Sequence, residues 1–375
     1  MAAAAEILNI QRQIIFDESI AHYEAHAHLP YALSTFNNSD EIRIAVQHQD
    51  LCLLPSKSTL HVYGKFTKSD GTAVSATTHM VNMTGCHMFE EIRYERMVLR
   101  LIVAKINITL QSIPLSLLLG FAEDYHKIVI NARYELILIR SNSDLNAYIV
   151  ATPAAGAHAE AVKITLQKIE WIVPYVTMAD KQKIEALNYI TSDPAISISF
   201  HAWELYEYPL LPNTSKHIWA VKTSTQLEKP RFVILGFQTA RKNDATKNAS
   251  GFDHCNIRDI KLFLNSQSYP YRNLNLNIAN NQYALLYDMY INFQISCYNK
   301  EPEPLLTKKK FLEQAPLYVI DCSKQNESIK SGPVDIRLEF ESANQFPAQT
   351  SAYCLIIRDR IVEYNPMSSI VQKLI

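Results

Sequence analysis

Glycine is scarce in this sequence. The eight glycines, at 64, 71, 85, 120, 156, 236, 251 and 332 among 375 residues, stand too far apart to build G-x-G-x-x-G, a Walker A loop or a G-x-S-x-G elbow. The common dinucleotide, nucleotide and serine-hydrolase signatures are thereby excluded. Paired cysteines are lacking too. Cys52, Cys86, Cys255, Cys297, Cys322 and Cys354 are scattered with no C-x-x-C among them, whereas a structural zinc site draws on closely spaced ligand pairs. With no address for an oxidising compartment, reduced thiols are expected. Excess charge of either sign is missing, since 36 Lys+Arg face 37 Asp+Glu for a net −1, which argues against a surface built to coat DNA constitutively. Long apolar runs are missing as well. "IPLSLLLGFA" at 113–122 is about half a membrane span and is interrupted by Pro114 and Ser116. The opening "MAAAAEILNI" has neither the charged n-region nor the apolar core of a secretory signal. The expectation is a chain that is neither inserted in a membrane nor secreted by a signal peptide.

What is present is strand. Hydrophobic residues make up 48% of the chain, enough for buried cores, and the length suits two domains of roughly 150 to 200 residues. "VDIRLEF" at 334–340 alternates Val334, Ile336, Leu338 and Phe340 with charged residues, the period of two of a half-buried strand. "KIVINARYELIL" at 127–138 places Ile128, Ile130, Ala132, Tyr134, Leu136 and Leu138 on one face, and "AISISF" (195–200) and "EIRIAV" (41–46) alternate likewise. The runs at 59–66, 217–223, 231–237 and 352–362 read as further strands, separated by turn-rich segments such as "TKSDGT" and "RKNDATKNASG". Many strands and short turns point to antiparallel sandwiches.

Helices are the minority. The spacing of Tyr283, Leu286, Tyr287, Tyr290 and Phe293 predicts a helix over 280–293 capped by Asn280 or Asn281. A second is expected over 179–190, capped by Asp180 with Ile184, Leu187 and Ile190 on one face, and a third over 113–125. A rough internal repeat follows, in which each half ends as helix, strand, strand, strand and the 179–190 helix connects the halves.

Residues with chemical potential are few. "HYEAHAH" (22–28) clusters His22, Glu24, His26 and His28. A zincin helix needs H-E-x-x-H, but Tyr23 occupies the Glu position. On a strand the four side chains share one face, so the reading is a polar face and not a metal site. Cys86–His87 and Asp253–His254–Cys255 could supply a Cys–His dyad, yet neighbours on a strand point to opposite faces, and buried structural cysteine is the reading. Glu90/Glu91 and Glu339/Glu341 are carboxylate pairs of the kind glycoside hydrolysis uses, and also what any exposed strand face carries. "LTKKKF" (306–311) and "TARKNDATK" (239–247) are basic patches, read as solvated loops with contact to DNA as the functional alternative. The aromatic runs at 201–211 and 268–274 could stack on bases or sugars, but packing at a module or subunit interface is the expectation. No catalytic, cofactor-binding or metal residue is expected, and no cofactor. A carbohydrate-binding sandwich is the rival from another class.

Several longer stretches resemble a known family: "IAHYEAHAHLPY", "FEEIRYE", "LLGFAEDYHKIVINARYELILIRSNSDLNAY", "KIEWIVPYV", "WELYEYPLLP", "HIWAVKTSTQLEKPRFVILGFQT", "FDHCNIRDIKLFLNS", "APLYVIDCSKQNESIKSGPVDIRLEFES" and "AYCLIIRDRIVEYNP". Together, over nearly the whole chain, they resemble the double jelly-roll capsid-like proteins linked to Polinton (Maverick) elements of insect genomes. The resemblance implies an all-β chain of two consecutive antiparallel eight-stranded jelly-roll sandwiches with a few short helices. The first is expected over 10–178, a connecting helix over 179–192 and the second over 193–366. It implies a major capsid protein and not an enzyme. Three copies would form a pseudo-hexagonal capsomer, and capsomers would tile an icosahedral shell around double-stranded DNA. The implied partners are further copies of the chain, a penton or minor capsid protein, and packaged DNA at inner loops. The implied place is the virion, after assembly inside a cell. A host-domesticated relative that no longer assembles is the alternative. The chain departs from the family pattern after "FEEIRYE", where "RMVLRLIVAKINITLQSIPLS" (96–116) leads directly to the next motif. The first jelly roll is therefore expected to be shortened after residue 95, with Val98–Leu110 replacing part of its sheet.

Overall fold

The computed structural model describes residues 20–31, 35–46, 52–81, 84–96, 99–102, 112–131, 134–154, 159–223, 229–324, 334–368 and 370–373. Period-two segments became strands wherever one face could be buried. In Glu41–Val46, Ile42, Ile44 and Val46 are buried while Glu41 is exposed. In Asp335–Ser342, Ile336, Leu338 and Phe340 are buried and Asp335 and Arg337 exposed. Full burial of each such side chain contributes about 1.5–3 kcal/mol.

The same strand order occurs twice. In the first half, Ile20–His28, Val162–Met178, Thr59–Lys68 and Ser112–Pro114 lie side by side in one sheet. Glu41–Val46, Tyr134–Arg140, Phe89–Arg96 and Leu99–Ile102 lie side by side in the other. In the second half, Ile196–Tyr208, Thr350–Tyr364, Pro230–Thr239 and Tyr318–Asp321 form one sheet, and Lys216–Thr223, Asp335–Ser342, Ile257–Leu264 and Gln267–Tyr269 the other. Counting each half's eight strands from its start, both read 1-8-3-6 against 2-7-4-5, and every pairing is antiparallel. Two four-stranded sheets in this order are a jelly roll. The chain is an all-β double jelly roll with a few short helices. Small strands decorate the first half: Cys52–Leu53 and Val129–Ile130 extend one sheet, and His79–Met80 pairs with Tyr148–Ile149. Immediately after residue 95 its strands are short, at Leu99–Ile102 and Ser112–Pro114; of the stretch 98–110 expected to replace sheet, only 99–102 are among the described residues.

Two cores fill the sandwiches, but they are not cleanly divided between the halves. The first gathers Ile42, Leu60, Leu136, Ile169 and Trp171, the second Leu235, Phe237, Leu262, Leu338 and Phe340. Ile198, Phe200, Val362 and Tyr364 come from second-half strands yet pack in the first core, while Cys354 and Ile356 of the same long strand pack in the second. Ile196–Tyr208 and Thr350–Tyr364 thus run through both cores. Where they cross, Arg358 Nη2 donates to Glu204 Oε1 at 2.6 Å and the Tyr206 hydroxyl donates to Glu204 Oε2 at 2.7 Å.

Four local expectations are corrected. The single strand over 127–138 is two strands in different sheets, Val129–Ile130 and Tyr134–Arg140, parted beside Asn131 at φ 53°. Asn tolerates this left-handed conformation, and the alternation of apolar residues continues across the break and hides it. The helix over 113–125 is only Gly120–Asp124, preceded by a strand and a 3₁₀ turn. The helix over 280–293 runs instead over Ala284–Tyr298 with Tyr283 at its N-cap, because Asn281 is itself left-handed at φ 56°. The connecting helix forms over Asp180–Thr191 with Ala179 and not Asp180 as N-cap, and its apolar face is not covered: Ile190 is buried, but Ile184 is 59% and Leu187 51% exposed. The repeat therefore lies in strand order. The helices fall at different places, after the sixth strand in the first half and before it in the second.

Candidate functional site

Each sequence candidate has a definite place. Ile20–His28 is a strand paired on one side to Val162–Met178. On its exposed face Glu24 accepts hydrogen bonds from His22 and, at 2.8 Å, from His26 Nε2; together they hold the Glu24 carboxyl below its ordinary value. His26 stacks on Tyr175 at 4.2 Å, and His28 Nε2 meets the Tyr175 hydroxyl at 2.8 Å. The histidines are spent on a carboxylate and an aromatic ring, and no group of three metal-ligating side chains is poised for an ion among the described residues.

Asp253, His254 and Cys255 lie in a turn and not on a strand. Cys255 (φ 46°) and Asn256 (φ 49°) are both left-handed. Burial pushes the Asp253 carboxyl up, but the Arg241 guanidinium, bonded at 2.6 and 3.0 Å, together with the Thr239 backbone N–H at 2.8 Å, keeps it below its ordinary value. His254 Nδ1 accepts from the Asn256 backbone at 3.0 Å, and burial lowers the imidazole pKa. Burial pushes the Cys255 thiol up to about 12, so it stays protonated and is no nucleophile near neutrality. His87 Nε2 meets Ser250 Oγ at 3.2 Å; the Cys86 side chain is not among those described.

One member of each carboxylate pair is tied to arginine. Glu91 faces Arg93 at 3.1 Å and Glu339 faces Arg337 at 3.3 Å. The basic patch at 239–247 is largely neutralised through Arg241–Asp253, Lys242–Glu207 at 2.6 Å and Lys247–Asp244 at 3.9 Å. The 306–311 patch opens the helix Lys308–Gln314; Lys308, Lys309 and Lys310 are exposed, with Lys308 lying 4.7 Å over the Tyr283 ring. The aromatic runs divide. Tyr208 packs on Trp219 at 5.6 Å, while Tyr271 is 89% exposed.

One polar cluster was not legible from spacing. It is the seam where the short helix Gly120–Asp124 meets Ile196–Tyr208. A Cβ on Gly120 would lie 1.8 Å from the His201 carbonyl oxygen, so only glycine lets the helix come this close. Asp124 Oδ2 accepts from the His201 backbone N–H at 2.6 Å and from Nδ1 at 2.9 Å. His201 Nε2 lies 3.7 Å from Asp359, which takes Arg231 at 2.8 Å. The Asp124 hydrogen bond, against partial desolvation and with help from Asp359, raises the His201 pKa. Burial, then the neighbouring Asp124, raises Glu123, and Tyr298 bonds to it. The only available signal was a rare glycine before "FAED". Chemically the seam is a clamp, with each acid held by a histidine, a tyrosine or an arginine. No helix of the described residues is long and apolar enough to cross a membrane.

Twice-repeated jelly-roll order in one chain is matched by a family model for the double jelly roll-like domain, over residues 101–362. The chain belongs to the double jelly roll-like domain family. Chains of known structure align along nearly its whole length. A chain of the Sputnik virophage has 9% identity and a TM-score of 0.63, covering 98% of this chain and 91% of that one. The mavirus major capsid protein has 9% identity and a TM-score of 0.57, with 98% and 92% covered. A chain of the PBCV-1 virus capsid has 9% identity and a TM-score of 0.55, with 97% and 99% covered. The mavirus structure is of a major capsid protein and the PBCV-1 structure is of a virus capsid. No curated protein sequence matches the chain.

Proposed function

We propose that this double jelly roll is a major capsid protein of the Polinton (Maverick) type, acting by self-association and not by catalysis. The observation that supports the reading most is the duplicated 1-8-3-6 and 2-7-4-5 strand order. Two like modules in one chain give six around a threefold axis, so a closed trimer of heterologous contacts makes a pseudo-hexagonal tile. On this reading the modules span 10–178 and 193–366, joined through 179–192. Capsomers tile an icosahedral shell around double-stranded DNA, with a penton or minor capsid protein as a further partner, and the chain reaches the virion after assembly inside a cell. Unspent contact surface supports this. Ile20–His28 pairs on one side only among the described residues, and Ile20, Tyr23, Ile184, Leu187 and Tyr189 are exposed. An open edge and bare apolar side chains invite cover by a neighbouring copy. Exposed Lys308, Lys309 and Lys310 are the candidate contact to DNA.

Light scattering on the size-excluded protein tests the reading. A species of three times the 42.8 kDa chain mass is expected, with shells then visible by electron microscopy. A monodisperse monomer at all salt concentrations would replace it with the reading of a domesticated copy that no longer assembles.

A further inference from the structure

The outer face of the long second-half strands holds a cavity that shell building does not require. Register lays its floor in rows. His201 lies opposite Asp359, Trp203 opposite Ile357, Leu205 opposite Leu355, and Glu207 opposite Tyr353. On the other side Leu355 meets Ile234 and Tyr353 meets Gly236. Alternate residues share a face, so two apolar rows lie between the charged His201/Asp359 row and the polar Glu207/Tyr353 row.

Phe252, Leu317 and Phe293 wall these apolar rows into a cavity of about 340 Å³, within the range of pockets that enclose small molecules, roughly 300–1,000 Å³. Gly236 sets its shape. A Cβ there would lie 2.7 Å from the Phe252 ring and 2.9 Å from Leu317, so a larger residue would push the wall outward. At the polar end Lys242 Nζ donates to Glu207 Oε1 at 2.6 Å, and the Tyr353 hydroxyl donates to the same oxygen at 3.5 Å. This end is already charge-balanced. An ionised carboxylate head would have to displace Glu207 from Lys242, or sit beside the Glu207 carboxylate with no cation left to face it. A hydroxyl or amide can join the network as both donor and acceptor.

We propose that this cavity binds a small single-chain amphiphile, its alkyl body along Trp203, Leu205, Leu355 and Ile357 and its uncharged hydroxyl or amide head beside Tyr353 and the Lys242–Glu207 pair. The inference is independent of the capsid reading, because it concerns the folded chain in whatever oligomer it forms.

Trp203 is a built-in reporter. The other two tryptophans, Trp171 and Trp219, are buried in the first and second cores, whereas Trp203 lines the cavity. Titration of the purified full chain with 1-decanol is expected to give a saturable change in tryptophan emission, and decanoate at least a tenfold weaker one. Leu355→Phe and Ile234→Phe fill the cavity and are expected to weaken decanol binding at least tenfold with an unchanged thermal midpoint; if one fails to fold, the other decides. Trp203→Phe is expected to abolish the emission change. A non-saturating response, decanoate binding as tight as decanol, undiminished binding by the folded filled variants, or a cavity closed to decanol in the native oligomer would each overturn the proposal.

Discussion

At Gly120 and Gly71 the same substitution meets opposite obstacles. A Cβ at Gly120 would overlap the His201 carbonyl oxygen at 1.8 Å, a backbone atom that cannot swing aside, while Gly71 has open space but a φ of 85°. Gly120→Ala must spread the seam, and overpacking of this kind costs about 1–3 kcal/mol. Gly71→Ala pays only the left-handed penalty, about 1 kcal/mol. Urea unfolding of both variants should show Gly120→Ala as the larger loss; equal losses would mean the seam tolerates separation. Cys255 gives a second residue-scale expectation. With its thiol pushed up to about 12 by burial, the folded protein should alkylate at Cys255 far more slowly than unfolded protein at pH 7. Labelling at the unfolded rate, read by mass spectrometry, would revive the Cys–His dyad.

Among the elements, the histidine strand was legible in its essentials. Alternation placed His22, Glu24 and His26 on one face, and the structure joins those three directly. Because these groups are exposed and satisfied by one another, calorimetric titration with zinc should give no stoichiometric binding, and His26→Ala should leave the thermal midpoint unchanged; a tight one-to-one zinc isotherm would reverse this reading. Strands such as 41–46 and 334–340 were legible for a related reason, since their pattern records burial on one face. The break at Asn131 was not, because apolar alternation is blind to a φ reversal that leaves its phase intact. The connecting helix misled in another way: Ile184 and Leu187 are spaced as a buried face but are exposed, and a pattern cannot say whether its partner lies in the same chain. The seam was out of reach altogether, since Asp124, His201 and Asp359 are far apart in sequence and only tertiary packing brings them together.

For the whole molecule, two cores that share strands should not melt separately. Ile198, Phe200, Val362 and Tyr364 belong to the first core although their strands build the second sandwich, so unfolding either module exposes apolar surface of the other. Scanning calorimetry is expected to show one cooperative transition, and residues 193–366 expressed alone should be poorly soluble. Two resolved transitions would contradict the coupling. The seam adds a pH dependence whose sign is fixed. His201 has a folded pKa raised above its ordinary 6.5, chiefly by its hydrogen bond to Asp124. Its contribution is therefore complete below 6.5 and is lost as pH rises through the folded value. Glu123, raised by burial and by Asp124, acts in the same direction from its ordinary 4.5 upward, because the folded state holds its proton longer. Arg231 pairs with Asp359 at 2.8 Å. The thermal midpoint should fall as pH rises above 6.5, and His201→Gln should flatten that slope because the amide keeps a donor for Asp124 but carries no titrating charge. A wild-type midpoint that rises across this window, or an equal slope in the variant, would show that the clamp at the seam does not couple protonation to the joining of the two jelly rolls.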